Sequence, residues 1–148
     1  PRGARMRIRM KGVTLIELMI VIVVVAILAS IAVPSYRQYV LRTHRTEAKA
    51  ALLNLAAAQE KFYLQNNTYA ADSVLSTAPP AGLGLADTTE NGWYTVAITA
   101  ASATAFSATA TAAGAQTADS DCATFTLTGQ GVKSATNSGG SASTVCWD

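Results

Sequence analysis

Residues 18–29, LMIVIVVVAILA, are apolar without interruption, and the run extends over 13–33 with Glu17 as its single charged member. As a helix at 1.5 Å per residue this segment reaches about 30 Å, the thickness of a bilayer's hydrocarbon core. Lipid offers the backbone no hydrogen-bond partners, so the segment is expected to be helical despite its β-branched residues. Pro34 interrupts the ladder and is expected to kink the helix rather than end it. Helical spacing resumes at once: Ala48, Ala51, Leu52, Leu55, Ala58 and Phe62 recur every three or four residues, with Arg45, Lys49, Asn54 and Lys61 on the opposite, polar side. The helix is expected to run to about Gln65, where Asn66-Asn67-Thr68 supplies a stop. Such a rod would be roughly 80 Å long. No compact domain of 148 residues holds that element internally, so half of it belongs in a bilayer or a fibre.

Residues 66–92 read as irregular, with Pro79-Pro80, Gly82, Gly84 and Asn91-Gly92 as turn signals. The period then changes to two. Tyr94, Val96 and Ile98 alternate with Thr95, Ala97 and Thr99; residues 104–112 alternate around Phe106; residues 123–128 place Phe125 and Leu127 on one side. Gly129-Gln130-Gly131 is a turn, 132–135 suits a short further strand, and 136–144, TNSGGSAST, is loop. Each strand offers one apolar row. The expected fold is therefore α+β, with a long N-terminal helix, half transmembrane and half amphipathic, packed on an antiparallel sheet of three to four strands.

Charge divides the chain further. Arg2, Arg5, Arg7, Arg9 and Lys11 precede Val13, whereas from Val13 onward six cations face nine acids, a net −3. The basic end reads as a topogenic signal that stays in the cytoplasm while everything after Val33 crosses the membrane. A mildly acidic remainder carries no broad electrostatic footprint for nucleic acid. Outside the cytoplasm, Cys122 and Cys146 read as a disulfide. Closing that loop would stabilise the fold by roughly 3–3.5 kcal/mol in the loop-entropy model. His44, flanked by Thr43 and Arg45 on the polar helix face, reads as solvated, and the aromatics at 62, 63 and 69 read as packing. Neither a nucleophile triad, a phosphate-binding glycine loop nor a metal-spaced cluster is present in the sequence, so no enzyme activity, cofactor or metal is expected.

Glu17 is the residue that needs explaining, because a carboxylate at bilayer depth costs roughly 2.5–3.5 kcal/mol even on lenient insertion scales. A secretory signal peptide cut near Ser30-Ile31-Ala32, or a plain signal anchor, accounts for the apolar run but not for this acid. A cut between Gly12 and Val13 does account for it. The new α-amino group on Val13 would be a cation four residues away, and in low dielectric an amine and a carboxylate favour each other strongly. Between packed identical helices such a pairing would fix axial register, as a buried polar group does in a coiled coil.

The run Lys11-Gly12-Val13-Thr14-Leu15-Ile16-Glu17, the apolar helix and Pro34-Ser35-Tyr36 closely resemble the class III signal of type IV pilins. Residues 45–53, RTEAKAALL, then Gln59-Glu60-Lys61-Phe62-Tyr63 and Asn67-Thr68-Tyr69, are similar to the PilE-like minor pilins, the group that includes the DNA-uptake pilin ComP. The resemblance implies a cleaved leader over 1–12, a transmembrane and fibre-core helix over 13–34, and a periplasmic or extracellular domain over 35–148 with a disulfide-bounded C-terminal loop. It implies cleavage by prepilin peptidase between Gly12 and Val13, N-methylation of Val13, and assembly roles for Thr14, Glu17 and Pro34. Implied partners are other pilin subunits, that peptidase, inner-membrane assembly machinery and, before assembly, the membrane. The implied function is that of a structural fibre subunit serving adhesion, twitching motility or DNA uptake, first in the inner membrane and later in the extracellular pilus. Val13 departs from the family's usual phenylalanine or methionine, and Ala26 stands where many members have glycine.

Two alternatives share the N-terminal signal. Major type II secretion pseudopilins resemble one another in an acidic calcium-binding loop, whereas residues 123–145 contain no Asp or Glu. A DNA-binding minor pilin would need cationic phosphate contacts, and the C-terminal loop offers only Lys133.

Overall fold

The computed structural model describes residues 12–148, so the expected leader over 1–12 lies, but for Gly12, outside the described residues. Two compact units divide the chain, one ending at Arg37 and the other spanning Gln38–Asp148.

Helix α1 covers Leu15–Asn66 and continues through Pro34. The proline does not end the helix, though its missing N–H leaves the Ser30 carbonyl without an i+4 donor. At the other end Asn67 adopts φ 52°, a left-handed conformation that asparagine tolerates, and its N–H bonds the Tyr63 carbonyl at 2.8 Å. The Asn-Asn-Thr stop thus acts as read.

Four strands, β1 Tyr94–Ala101, β2 Phe106–Ala112, β3 Thr124–Thr128 and β4 Lys133–Thr136, form one antiparallel sheet in the order β1-β2-β3-β4. The alternation read from the sequence holds. Tyr94, Val96, Ile98, Phe106, Ala108, Ala110, Phe125, Leu127 and Ala135 face inward, and Ala48, Leu52 and Leu55 of α1 complete the core. Two alanines at the centre of β2, both fully buried, keep the middle of the sheet free of bulk beneath the helix. The outward rows are almost all hydroxyl side chains, paired across strands as Thr95 with Thr111, Thr111 with Thr124, Thr109 with Thr126 and Ser107 with Thr128.

The irregular segment after α1 is tied down by polar groups. Gln59 is fully buried; its amide N–H donates to the Ala70 carbonyl and its oxygen accepts the Ala70 N–H, both at 2.8 Å. A side chain thereby satisfies both backbone groups of one buried residue. Gly82 sits where a Cβ would lie 2.3 Å from the Val74 carbonyl oxygen, so this turn admits no side chain. A short 3-10 turn, Gly114–Ala118, joins β2 to β3 and was not legible in the sequence.

Cys122 and Cys146 are bonded and fully buried, as the cysteine reading expects. Trp147 packs edge-on against Phe125, which in turn meets Tyr94 edge-on, each pair with ring centroids 5.7 Å apart.

Candidate functional site

The first candidate site is the start of α1. Gly12 has open space around it, and Val13 is exposed. The Thr14 carbonyl accepts the Leu18 N–H at 3.1 Å, which makes Thr14 the N-cap. Its hydroxyl oxygen accepts the Glu17 N–H at 3.3 Å, and the Glu17 carboxylate accepts the Thr14 N–H at 3.5 Å. This is a capping box, in which threonine and glutamate satisfy each other's orphaned backbone donors. The Thr-x-x-Glu spacing ahead of an apolar run is its sequence signature, and reading Glu17 only as a pairing residue missed it. The box turns the carboxylate back toward the helix start, the side on which a Val13 amine would appear.

Beyond the box the apolar half of α1 is exposed throughout: none of its most apolar 18-residue window is buried. Ser30 satisfies its hydroxyl on the Ile27 carbonyl at 2.7 Å, within the helix itself. The segment is long and apolar enough to cross a membrane.

A second cluster lies in the Gln38–Asp148 unit, where α1 meets the connection after β2. Arg45 is buried rather than on a solvated face. Its Nε and Nη2 donate to the two oxygens of Asp119 at 2.7 and 2.8 Å, and Asp119 is 2% exposed. The Asp119 hydrogen bond holds the guanidinium pKa above its usual value against the cost of burial. Gln116, fully buried, donates from Nε2 to the Leu41 carbonyl, the Tyr94 hydroxyl and Asp119 at 3.0, 3.0 and 3.3 Å. Its oxygen accepts from His44 Nδ1 at 2.9 Å, so the amide's orientation places a proton on that ring nitrogen. His44 is half-buried and stacked on Trp93 with centroids 4.2 Å apart. The expectation of a solvated His44 fails, and Arg45, read on the polar side of the helix, is buried, because both face partners more than forty residues away.

Burial pushes the Tyr94 phenol up to about 12. The sign follows from proton binding. The unfolded tyrosine loses its proton near pH 10, whereas the folded one keeps it, so stability from this group is intact below pH 10 and lost as pH rises toward 12. Urea midpoints are expected to fall more steeply across that window in the natural chain than in Tyr94→Phe; parallel profiles would refute the assignment.

Near the chain end, Lys49 donates to the Asp148 carbonyl at 2.6 Å, and Lys133 lies 5.4 Å above the Trp147 ring. Burial, with Arg45 adding to it, lowers the Lys49 pKa. On the other flank of α1, Glu47, Asn54, Leu85, Thr88 and Glu90 line an open groove of about 550 Å³. One Glu47 oxygen accepts from the Asn91 amide, and its other oxygen is buried without a partner. No cluster suited to a metal ion occurs among the described residues.

A capped, exposed apolar helix half, followed by a helix-on-sheet domain closed by a disulfide, is the anatomy of an anchored, pilin-like subunit. Residues 34–126 match the model of the family described as type IV minor pilin ComP, DNA uptake sequence receptor, and residues 7–33 match the prokaryotic N-terminal methylation motif. The chain belongs to that type IV minor pilin family. It is 41% identical over 68 residues to the type IV major pilin protein PilA of Myxococcus xanthus, covering 46% of this chain and 31% of that protein. Fimbrial protein EcpC of Eikenella corrodens is 39% identical over 97 residues, 63% of this chain and 56% of that one. The type IV wide pilus major component PilA4 of Thermus thermophilus is 38% identical over 93 residues, with 63% and 66% covered. The chain thus spans between about a third and a little over half of the first two relatives' lengths.

Proposed function

We propose that the chain is a structural subunit of a type IV pilus, held in the inner membrane by residues 13–34 and then drawn into a helical fibre. The carrying observation is Glu17, fixed in a capping box at the head of a wholly exposed apolar helix and five residues after an open Gly12. In this reading a prepilin peptidase cuts between Gly12 and Val13, Val13 is methylated, and Glu17 of an arriving subunit neutralises the amine of a subunit already in place. Pro34 spares the helix one backbone bond where the segment leaves the membrane. Names of relatives that are pilus and fimbrial proteins support this reading over a secretion pseudopilin.

Sheared surface fibres analysed by mass spectrometry are expected to contain this chain beginning at Val13 and carrying one added methyl group. Gly12→Leu is expected to leave a larger, membrane-bound precursor and no fibre form. A fibre subunit that retains residues 1–12 would overturn the cleavage assignment.

A second reading, that the subunit also binds DNA, is favoured by the description of the matched family. On this chain the candidate surface is Lys133, over the Trp147 ring, and Lys49, bonded to Asp148. Two cations give a weak electrostatic term, with log affinity falling against log salt by a slope of only about −2. A gel shift with duplex DNA at low salt is expected to lose its complex in Lys49→Ala/Lys133→Ala; an unchanged complex would remove this surface from consideration.

A further inference from the structure

The two edges of the sheet are closed in different ways. Along β1 the Val96 N–H donates to the Asp87 carbonyl and the Ile98 N–H to the Asp72 carboxylate, both at 2.7 Å, and Thr88 bridges Thr95. Those partners belong to a segment anchored by buried Leu75 and Leu83.

Along β4 the cover is residues 137–148. The Thr128 N–H bond to the Val132 carbonyl at 3.1 Å sets a register in which even-numbered residues of β4 face β3, so Ala135 turns its backbone outward. There the Ala135 carbonyl accepts the Ser143 N–H at 2.8 Å, Asn137 N–H donates to the Ser141 carbonyl at 2.9 Å, and Thr136 bridges Ala142. The Trp147 indole N–H bonds the Ser134 carbonyl at 2.8 Å, a group that this register turns toward β3 rather than to the open edge. This cover has almost no core of its own: Cys146 is its only buried residue. Its covalent anchorage is the disulfide to Cys122, and the contacts beside it are few: Trp147 edge-on against Phe125, a Ser138 N–H bond to the Ser120 carbonyl at 2.9 Å and the Lys49 bond to Asp148.

We propose that residues 137–148 are a detachable guard on the β4 edge, latched by Cys122–Cys146, and that opening the latch lets β4 of a second copy take the guard's place as an antiparallel neighbour. An uncovered strand presents unpaired N–H and C=O groups that template pairing with another chain. The second copy is the occupant because β4 is self-complementary about a two-fold axis: each edge supplies the outward Ala135 groups, and the two Lys133 residues fall at opposite ends. The β1 edge keeps its cover, so association closes at two copies rather than growing. The latch opens by exchange with a dithiol. A thiolate attacks one sulfur, the dithiol closes to its own disulfide, and Cys122 and Cys146 leave as thiols having taken up two electrons and two protons. The device is independent of whether the chain assembles into a fibre.

The test uses the full chain in detergent micelles, untreated, treated with dithiothreitol, and as Cys122→Ser/Cys146→Ser. Amide hydrogen exchange is expected to rise about tenfold or more at 141–147 on opening, while 124–128 stays protected. Size-exclusion with light scattering is expected to show a concentration-dependent dimer only in the opened forms. Ala135→Pro, which fills the outward edge without removing a bond to β3, is expected to abolish that dimer. Three outcomes would overturn the proposal: loss of protection at 124–128 together with 141–147, an opened chain that stays monomeric, or dimers that persist in Ala135→Pro.

Discussion

Arg45→Ala is expected to remove about 3–5 kcal/mol of folding stability, the usual consequence of leaving one partner of a buried pair without its counter-charge. Asp119, 2% exposed in the natural chain, would be left with the Gln116 amide as its nearest side-chain donor, at 3.3 Å. Small domains are stable by only about 5–15 kcal/mol, so the variant should be largely unfolded well below the natural chain's transition. Urea unfolding followed by tyrosine and tryptophan fluorescence measures the loss, and a change under about 1 kcal/mol would refute the buried-pair account. The control is Arg45→Met with Asp119→Leu. Replacing both charges by apolar groups removes the stranded carboxylate, so the double variant should recover much of what the single one loses. Incomplete recovery has a named source, because Gln116 would lose an acceptor while still holding Leu41, His44 and Tyr94 together.

Glu17→Ala is expected to abolish incorporation into fibres while leaving the precursor inserted and cleavable. Insertion itself should improve, because a carboxylate at bilayer depth costs roughly 2.5–3.5 kcal/mol. The capping box gives Glu17 a second role, so the alanine variant alone does not identify the cause. Glu17→Gln separates the two roles: glutamine still accepts the Thr14 N–H, as capping boxes allow, but cannot neutralise an amine. Immunoblots of sheared fibres and of the membrane fraction are expected to show both variants in the membrane and neither in the fibre. Normal fibres from Glu17→Gln would leave helix capping as the residue's whole contribution.

What was legible in the sequence follows from how local each cause is. Helix α1 and all four strands were readable within a residue or two because apolar spacing of 3.6 or 2 is a property of neighbouring positions. The disulfide was readable because two cysteines leave a single pairing. The capping box was written in four consecutive residues and overlooked only because Glu17 already had an explanation. The Arg45 and His44 contacts were not readable. A charged residue on a helix presents the same local pattern whether its partner is water or an aspartate 74 positions away. Gln59 shows the same thing: its periodic position is core-facing, and only the returning chain at Ala70 supplies what a buried amide requires.

The outer rows of the sheet carry a consequence of a different kind. Threonine and serine fill them except at Ala97, and no ionisable side chain stands on that face at 95, 97, 99, 107, 109, 111, 124, 126, 128, 134 or 136. Hydroxyl groups keep their state across the whole range of acidity in which proteins stay folded, and they attract no counterion cloud for salt to screen. One flank of the molecule is therefore chemically deaf to its surroundings. Acid and salt act on this molecule elsewhere, on α1 and on exposed loop residues such as Asp87, Glu90 and Asp121.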